Sequence, residues 1–333
     1  MIKIAFDGRG GEHVRDASHL ALQEFLSEYE DVHVYMATSQ SRFEVLLGKL
    51  EKKLHDKLFL LESKETIKFH ESPIKALKKK AEASIVVATQ AVLDEGCDAL
   101  LSFGHTGATV AAAQLKLGLI KGVHRAGLAT IMPNRKGFGL LMDVGANLNC
   151  KPEHLYQYAV MADIYAKSVF ELKSPKIGLL NIGEESGKGD KFLNKTYQLF
   201  EEGDINFVGN VEGGQIFDGS VDCIICNGIT GNMLLKSSES LAQMLFQDVQ
   251  EKLSRKLNAE KEKKQIAESL LQEIAESYNP DSRGASRLLG VNGRVLIGHG
   301  NAGVSAIYNG LCNAYRESTL GLQSVFEQRL APS

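Results

Sequence analysis

The stretch Leu101 to Val110, LSFGHTGATV, sets His105, Thr106 and Gly107 in a tight turn between an apolar run and the Ala-rich AAAQLKLGLIKG that follows. Strand, Gly turn and helix start in this order make an anion cradle. The first N–H groups of a helix have no intrahelical acceptor and lie at the positive end of its dipole. Four more runs share the pattern: FDGRGGEH (6 to 13), LLNIGEESGKGDKF (179 to 192), CNGITGNMLLK (226 to 236) and IGHGNAGVSAI (297 to 307). If the preceding strands are parallel, these turns emerge at one sheet edge and converge on one crevice.

The loops limit which anion is held. None has the dinucleotide spacing G-x-G-x-x-G: the first reads Gly8, Arg9, Gly10, Gly11, Glu12, His13, and the last is broken at Ala302 and Gly303. The run from Gly183 to Gly189 is one residue short of a P-loop, puts Gly189 where a magnesium-binding hydroxyl belongs, and carries Glu184 and Glu185, which repel a triphosphate. Lys188 in that loop suits a smaller anion. The hydrolase patterns G-x-S-x-G and H-E-x-x-H are missing. Asp218 and Asp222 lie in DGSVD, a turn entering a strand, and share no helix face, so neither a metal nor a cofactor is expected. Cys223 and Cys226 have C-x-x-C spacing inside the strand-like VDCIIC, where residues three apart face opposite sides, so they read as two small buried hydrophobes.

The elements that must position these loops follow from periodicity. Apolar runs of strand length (IKIAF, VHVYMAT, DALLSFG, LATIMP, GLLMDVG, IGLLNIG, VDCIICNG, VLIGHG) alternate with longer helical patterns, which predicts an α/β fold with a mostly parallel sheet covered on both faces. Six prolines leave no evident linker, so residues 1–333 read as one unit of two interlocked lobes. Within it, residues 233–278 hold Leu241, Met244, Leu245, Val249, Leu253, Ile266, Leu270 and Ile274 at helical spacing around NAEKEKKQ, a helical hairpin with a charged tip. Its expected role is core cover or a dimer contact, with a membrane-touching or partner-docking arm as the alternative. A chain with 44% apolar and 24% charged residues and a net charge of -3 is an ordinary globular one and no nucleic-acid binder. No apolar run reaches the roughly 18 residues of a membrane span and no signal peptide opens the chain, so a cytoplasmic location is expected. Five scattered cysteines make no disulfide framework.

With these segments in view, the chain resembles the PlsX family, the acyl-(acyl-carrier-protein):phosphate acyltransferases of phospholipid synthesis. The likeness is carried by LLMDVGANLNCKPEHLYQYAVMADIYAKSV (140 to 169), GLLNIGEESGKGDKF (178 to 192), FVGNVEGGQIF (207 to 217), NGITGNMLLKSSES (227 to 240) and LLGVNGRVLIGHG (288 to 300). The resemblance implies a homodimeric three-layer α/β/α protein similar in fold to isocitrate and isopropylmalate dehydrogenases, with its site in a cleft and the hairpin protruding. It also implies the reaction: a fatty acyl group passes from acyl carrier protein to inorganic phosphate, and the acyl phosphate feeds a membrane glycerol-3-phosphate acyltransferase. Phosphate is then itself the nucleophile, so no catalytic Ser or Cys is required.

On this reading, N–H groups around Thr106, Gly107 and Gly231 hold phosphate and Lys188 supplies charge. Asn232 and His299 donate to the oxyanion or leaving sulfur. Asp143, Gly145 and Asn147 of the DVGAN run shape the site, and Asn181 and Asn227, in the matched NIG and NGITG runs, contact substrate. Lys75, Lys78 and Lys79 form a basic face for the acidic carrier protein. The chain departs from the usual pattern at His105 (commonly Asn), Asn227 (Asp), Ile229 (Phe), Asn301 and Ala302 (Ser-Ser) and in the Arg9 turn. His105 adds a group able to gain a proton near an anion. The family is peripheral at the inner membrane face, and the charged tip here predicts only weak lipid contact through Lys261, Lys263 and Lys264. A metal-dependent dehydrogenase of similar fold and a non-catalytic scaffold for lipid enzymes are the competing readings.

Overall fold

The computed structural model describes residues 1–256, 261–278 and 284–330. The first half alternates strand and helix: β1 (Ile2–Asp7), α1 (Val14–Glu28), β2 (Val32–Thr38), α2 (Gln40–Leu47), β3 (Leu58–Glu62), α3 (Pro73–Lys79), α4 (Ser84–Asp94), β4 (Ala99–Ser102) and α5 (Thr106–Lys116). The hairpin β5 (Gly127–Asn134) and β6 (Gly137–Met142) leads to the long α6 (Pro152–Val169), then β7 (Ile177–Leu180), α7 (Lys191–Glu202), β8 (Phe207–Val211), α8 (Gln215–Asp218) and β9 (Cys223–Ile225). Two long helices follow, α9 (Gly228–Lys256) and α10 (Lys261–Tyr278), before β10 (Ser286–Leu289), β11 (Arg294–Ile297), α11 (Val304–Thr319) and α12 (Leu322–Leu330).

Among the described residues all strands join one eleven-stranded sheet in the order β3-β2-β1-β4-β11-β10-β5-β6-β9-β7-β8. Its faces are covered as the near-continuous apolar strands require. On one face a single core runs through both halves of the sheet, from Ala5 and Leu100 through Leu128 and Ile297 to Leu141 and Ile224. The opposite face carries two separate cores. Phe6, Phe25, Leu101 and Leu311 fill one half, and Met142, Tyr158, Ile177 and Phe200 the other. Each fully buried Leu or Phe contributes roughly 1.5–3 kcal/mol before entropy is counted. Cys226 lies in the shared core and Cys223 in a separate one, on opposite faces as alternation along VDCIIC dictates.

Strand direction corrects one expectation. β1, β2, β3, β4 and β11 are parallel, but β10 is antiparallel to both β11 and β5, and β5 is antiparallel to β6. β6, β9, β7 and β8 are again mutually parallel, now pointing the other way. The turns after β1, β4 and β11 therefore open at one edge, and those after β6, β7 and β9 at the opposite edge. The five Gly turns do not converge on one crevice. The sheet is mostly parallel as expected, but apolar content does not encode strand direction, and the reversal lies in β10 and the TIMPNRKGFGLL hairpin, which turns the second set of strands the other way.

The helices predicted over 233–278 are present as α9 and α10, which contact each other, with α9 starting five residues earlier. The first part of the predicted charged tip, residues 258–260, lies outside the described residues. No helix among the described residues is long and apolar enough to cross a membrane.

Candidate functional site

At the first edge, three turns interlock. Glu12 N–H donates to Gly300 O at 2.7 Å, tying the β1 turn to the β11 turn. A Cβ on Gly10 would lie 2.4 Å from Asp7 Oδ2 and 2.8 Å from the Gly104 nitrogen, so glycine is required for the β1 and β4 turns to meet. Asp7, buried at the end of β1, accepts from Ser102 Oγ at 2.8 Å and from Gly10 N–H at 3.1 Å. Burial outweighs these donors and holds its carboxyl above the usual range.

The helices leaving these turns, α1, α5 and α11, all point their N-termini at this edge, and none has a side-chain cap. His105 precedes α5; its Nε2 lies 3.2 Å from Glu71 O, and its ring stacks on Phe69 with centroids 6.2 Å apart. Thr106 and Gly107 form the first turn of α5, with the side chain of Pro73 on α3 close against Gly107. The exposed Lys75, Lys78 and Lys79 of α3 flank this corner.

A cavity of about 1020 Å³ opens beside it. Its polar end is made by Glu12, His299, Gly300 and Asn301, with Phe69 between the cavity and His105. His299 Nε2 pairs with Glu239 Oε1 at 3.1 Å, so a carboxylate on α9 orients the imidazole from across the cleft. The rest of the wall carries an apolar set, Ile131, Met132 and Pro133 from β5, Ile297 from β11, and Leu235, Leu241, Leu245 and Phe246 along α9, with Lys236, Gln243, Gln247 and Gln250 of α9 and Arg287 of β10 among them. A polar mouth backed by an apolar lane is the form of a site for an amphipathic ligand.

The second edge is built differently. Asp143 is fully buried and accepts from the N–H groups of Leu128, Gly145, Ala146 and Asn147 at 2.8–3.0 Å. Burial nevertheless raises its carboxyl above the ordinary range. Asn147 donates to Ala126 O at 2.5 Å and to Tyr158 Oη at 2.8 Å. This turn seats the first turn of α9 so closely that a Cβ on Gly231 would lie 2.0 Å from Asp143 O. Asn227 Oδ1 accepts from Thr230 N–H and Oγ1 at 3.0 and 3.1 Å, capping α9. Asn232 lies against Gly145, and its amide makes no hydrogen bond among the described residues. Asn232 and Glu239 are seven residues apart, ~10 Å along α9, so the two groups assigned to one oxyanion stand at different levels of the cleft.

Asn181 and Lys188 sit after β7. The Asn181 amide donates to Lys188 O and Asn210 Oδ1, both at 3.1 Å, and accepts from Ile182 N–H at 2.8 Å, while Asn210 donates to Glu185 O at 2.9 Å. The two asparagines clamp the 183–189 loop. Lys188 is half-exposed with Glu185 3.8 Å from its Nζ and does not line the cavity.

Of the residues singled out in the sequence, His105, Thr106, Gly107 and His299 gather at the first edge, Asp143, Asn147, Asn227, Gly231 and Asn232 at the second, and Asn181 and Lys188 beside the latter. The structure adds Glu12, Phe69 and Glu239: Glu12 belongs to the first Gly turn, whereas the Glu239–His299 pair joins residues 60 apart and leaves no local signal in the sequence.

The profile of the family described as fatty acid synthesis protein matches residues 2–324. A phosphate acyltransferase of Desulfitobacterium hafniense is 39% identical over 316 residues, covering 93% of this chain and 92% of that protein. One of Salinibacter ruber is 35% identical, covering 99% and 98%. Among solved structures, a branched-chain phosphotransacylase from Enterococcus faecalis superposes with a TM-score of 0.61 at 13% identity, covering 96% of this chain and 100% of that one. The EutD phosphotransacetylase of Staphylococcus aureus gives 0.59 at 15%, covering 95% and 94%. A 4-hydroxythreonine-4-phosphate dehydrogenase from Klebsiella pneumoniae gives 0.53 at 10%, covering 96% and 99%. These likenesses are of fold, and they include both transferases and a dehydrogenase. The sequence matches decide between them: the chain belongs to the PlsX family of phosphate acyltransferases.

Proposed function

We propose that the chain transfers a fatty acyl group from acyl carrier protein to inorganic phosphate in the cavity between α9 and the first sheet edge. The observation that carries this reading is the cavity's division into a polar mouth at His299 and an apolar lane along α9 and β5. The lane takes the acyl chain, at roughly 0.8 kcal/mol per buried methylene. The mouth takes the thioester and phosphate.

A phosphate oxygen attacks the thioester carbonyl, a C–O bond forms, and the tetrahedral oxyanion collapses with cleavage of C–S. The proton lost by hydrogen phosphate goes to the leaving thiolate, giving acyl phosphate and free thiol. A thiol with a pKa of roughly 8.5 needs little help to leave, so catalysis rests on placing the dianion and steadying the oxyanion. His299, oriented by Glu239, stands where it can pass that proton, and the N–H groups of the uncapped α11 N-terminus, which follows Asn301, favour the anion. In this reading Asp143, Asn147, Asn227 and Gly231 position α9, and through it Glu239, while Asn181 holds the Lys188 loop.

The product would serve a membrane acyltransferase acting on glycerol 3-phosphate. A homodimer with weak peripheral membrane contact belongs to the same proposal. The stripe of exposed apolar residues on α9 and α10 outside the cavity (Met244, Ile266, Leu270, Ile274) supports a contact there. Incubation with palmitoyl-acyl carrier protein and phosphate, with hydroxylamine trapping of acyl phosphate, tests the reaction. A product that forms only with phosphate present supports it. Its absence beside an active family enzyme refutes it.

A further inference from the structure

Outside the cavity, the C-terminal ends of β1, β2 and β3 hold a polar cluster that the proposed reaction does not use. Arg9 follows β1, Arg15 lies in the first turn of α1, and Arg42 in the first turn of α2. The register Asp7↔Ala37 and Thr38↔Glu62 brings these three strand ends side by side. Arg9 Nη1 donates to Ser63 O at 2.9 Å, and Ser63 N–H donates to Thr38 O at 2.8 Å. None of the three arginines forms an ion pair among the described residues. Partial burial and then the positive fields of Arg9 and Arg15 pull the Arg42 guanidinium below its usual range, and Asp16 opposes them more weakly.

Three buried polar atoms here have no partner: Arg9 Nε, Thr38 Oγ1 and Ser63 Oγ. Thr38 and Ser63 are each only 1% exposed. Buried hydroxyls are normally satisfied; Thr38 shares its face with Met36, on the side covered by α1 and α2, so its orphan hydroxyl beneath Arg15 and Arg42 calls for an acceptor, while Ser63, one residue past the Thr38↔Glu62 pair, leaves the sheet on the other face. The helices α1 and α2 that start here also lack side-chain caps, which leaves their first N–H groups and positive dipole ends unspent. Three guanidinium groups opposed only weakly by Asp16, beside an orphan hydroxyl and two helix starts, match the tetrahedral, multiply accepting geometry of a phosphate group.

The cluster flanks the cavity mouth. Glu12 lines the cavity three residues after Arg9, at most ~11 Å along the chain. Thr66 Oγ1 donates to Arg9 O at 3.3 Å, and Phe69, three residues on, lines the cavity as well. We propose that Arg42 and Thr38, with Arg9 and Arg15 at the rim, form a second phosphate site that holds the phosphate of the acyl donor's pantetheine arm while its thioester enters the cavity. The identity of the donor rests on the function proposed above. The chemistry of the site, a phosphate group bound by guanidinium and hydroxyl donors, does not.

The test compares equilibrium binding of octanoyl-phosphopantetheine and octanoyl-pantetheine, which differ only in that phosphate, to the whole protein. Wild type is expected to bind the phosphorylated compound at least about tenfold more tightly, and Arg42→Gln and Thr38→Val to reduce the ratio to about twofold or less. Thr38→Val keeps the side-chain shape and removes one orphan hydroxyl, so an unchanged melting temperature shows that a lost ratio is not misfolding. A wild-type ratio near one, or a ratio that survives in both variants, overturns the proposal. Inorganic phosphate titrated alone forms the second arm: binding that vanishes in Arg42→Gln while the wild-type ratio stays near one assigns the site to free phosphate and overturns the pantetheine arm as its source. Acyl phosphate formation from palmitoyl-acyl carrier protein, measured on the same preparation, fails only if the proposed reaction is wrong, so the two failures are separable.

Discussion

In the proposed reaction His299 takes the central role at the residue scale: Glu239 lies 3.1 Å from its Nε2, and the ring lines the cavity. His299→Ala is expected to lower kcat on the order of a hundred- to a thousandfold with the fold intact, whereas Lys188→Ala, outside the cavity, should leave kcat and the phosphate KM within about threefold, both read by steady-state kinetics. The buried carboxyls make a pH prediction with a definite sign. Asp7 and Asp143 are both raised by burial, so between their ordinary and raised values the folded state binds protons that the unfolded chain has released. Their contribution to stability is therefore largest below the ordinary carboxylate range and falls as pH rises through that window. Urea unfolding of wild type against Asp7→Asn, from about pH 4 to about pH 7, should show the wild-type slope flattened in the variant. At this scale the sequence exposed His299 through its Gly turn, but it could not show that Asn227 caps a helix or that Asn181 is spent on its own loop. Hydrogen-bond partners are set by three-dimensional neighbours such as Asn210 and Thr230, not by residue type.

Helix α9 is the element on which the account turns, because it starts on the Asp143 turn at one sheet edge and brings Glu239 to His299 at the other. The seat of its first turn has no room: Gly231→Ala is expected to cost about 3 kcal/mol by urea denaturation and to lower activity with it, since a Cβ there meets Asp143 O at 2.0 Å. Further along, Ala242→Phe should fill part of the apolar lane. Its effect should grow with donor chain length, because each lost methylene contact is worth about 0.8 kcal/mol, roughly fourfold in kcat/KM. A uniform loss for octanoyl and palmitoyl donors would separate the lane from chain binding. Helical spacing made α9 and α10 legible, and Leu241 and Leu245 stood out as an apolar stripe. That the stripe lines a cavity was not legible, since one helix face serves core, lane or partner with the same spacing.

At the scale of the molecule, alternating apolar strands and helices were enough to anticipate an α/β sheet with both faces covered, and long ordered motifs were enough for the family. The reversal of direction through β10, β5 and β6 was not, and it divides the predicted site between two sheet edges. The division has a use in the proposed reaction: one edge holds the substrates, and the other anchors the helix that closes over them. The central claim is that phosphate attacks an acyl thioester at the mouth of one cavity, and the most direct measurement is hydroxylamine-trapped acyl phosphate from palmitoyl-acyl carrier protein as phosphate is varied. Wild type should give a saturable, phosphate-dependent product that His299→Ala reduces on the order of a hundredfold or more. Product that forms without phosphate, or that is unaffected by His299→Ala, would contradict it.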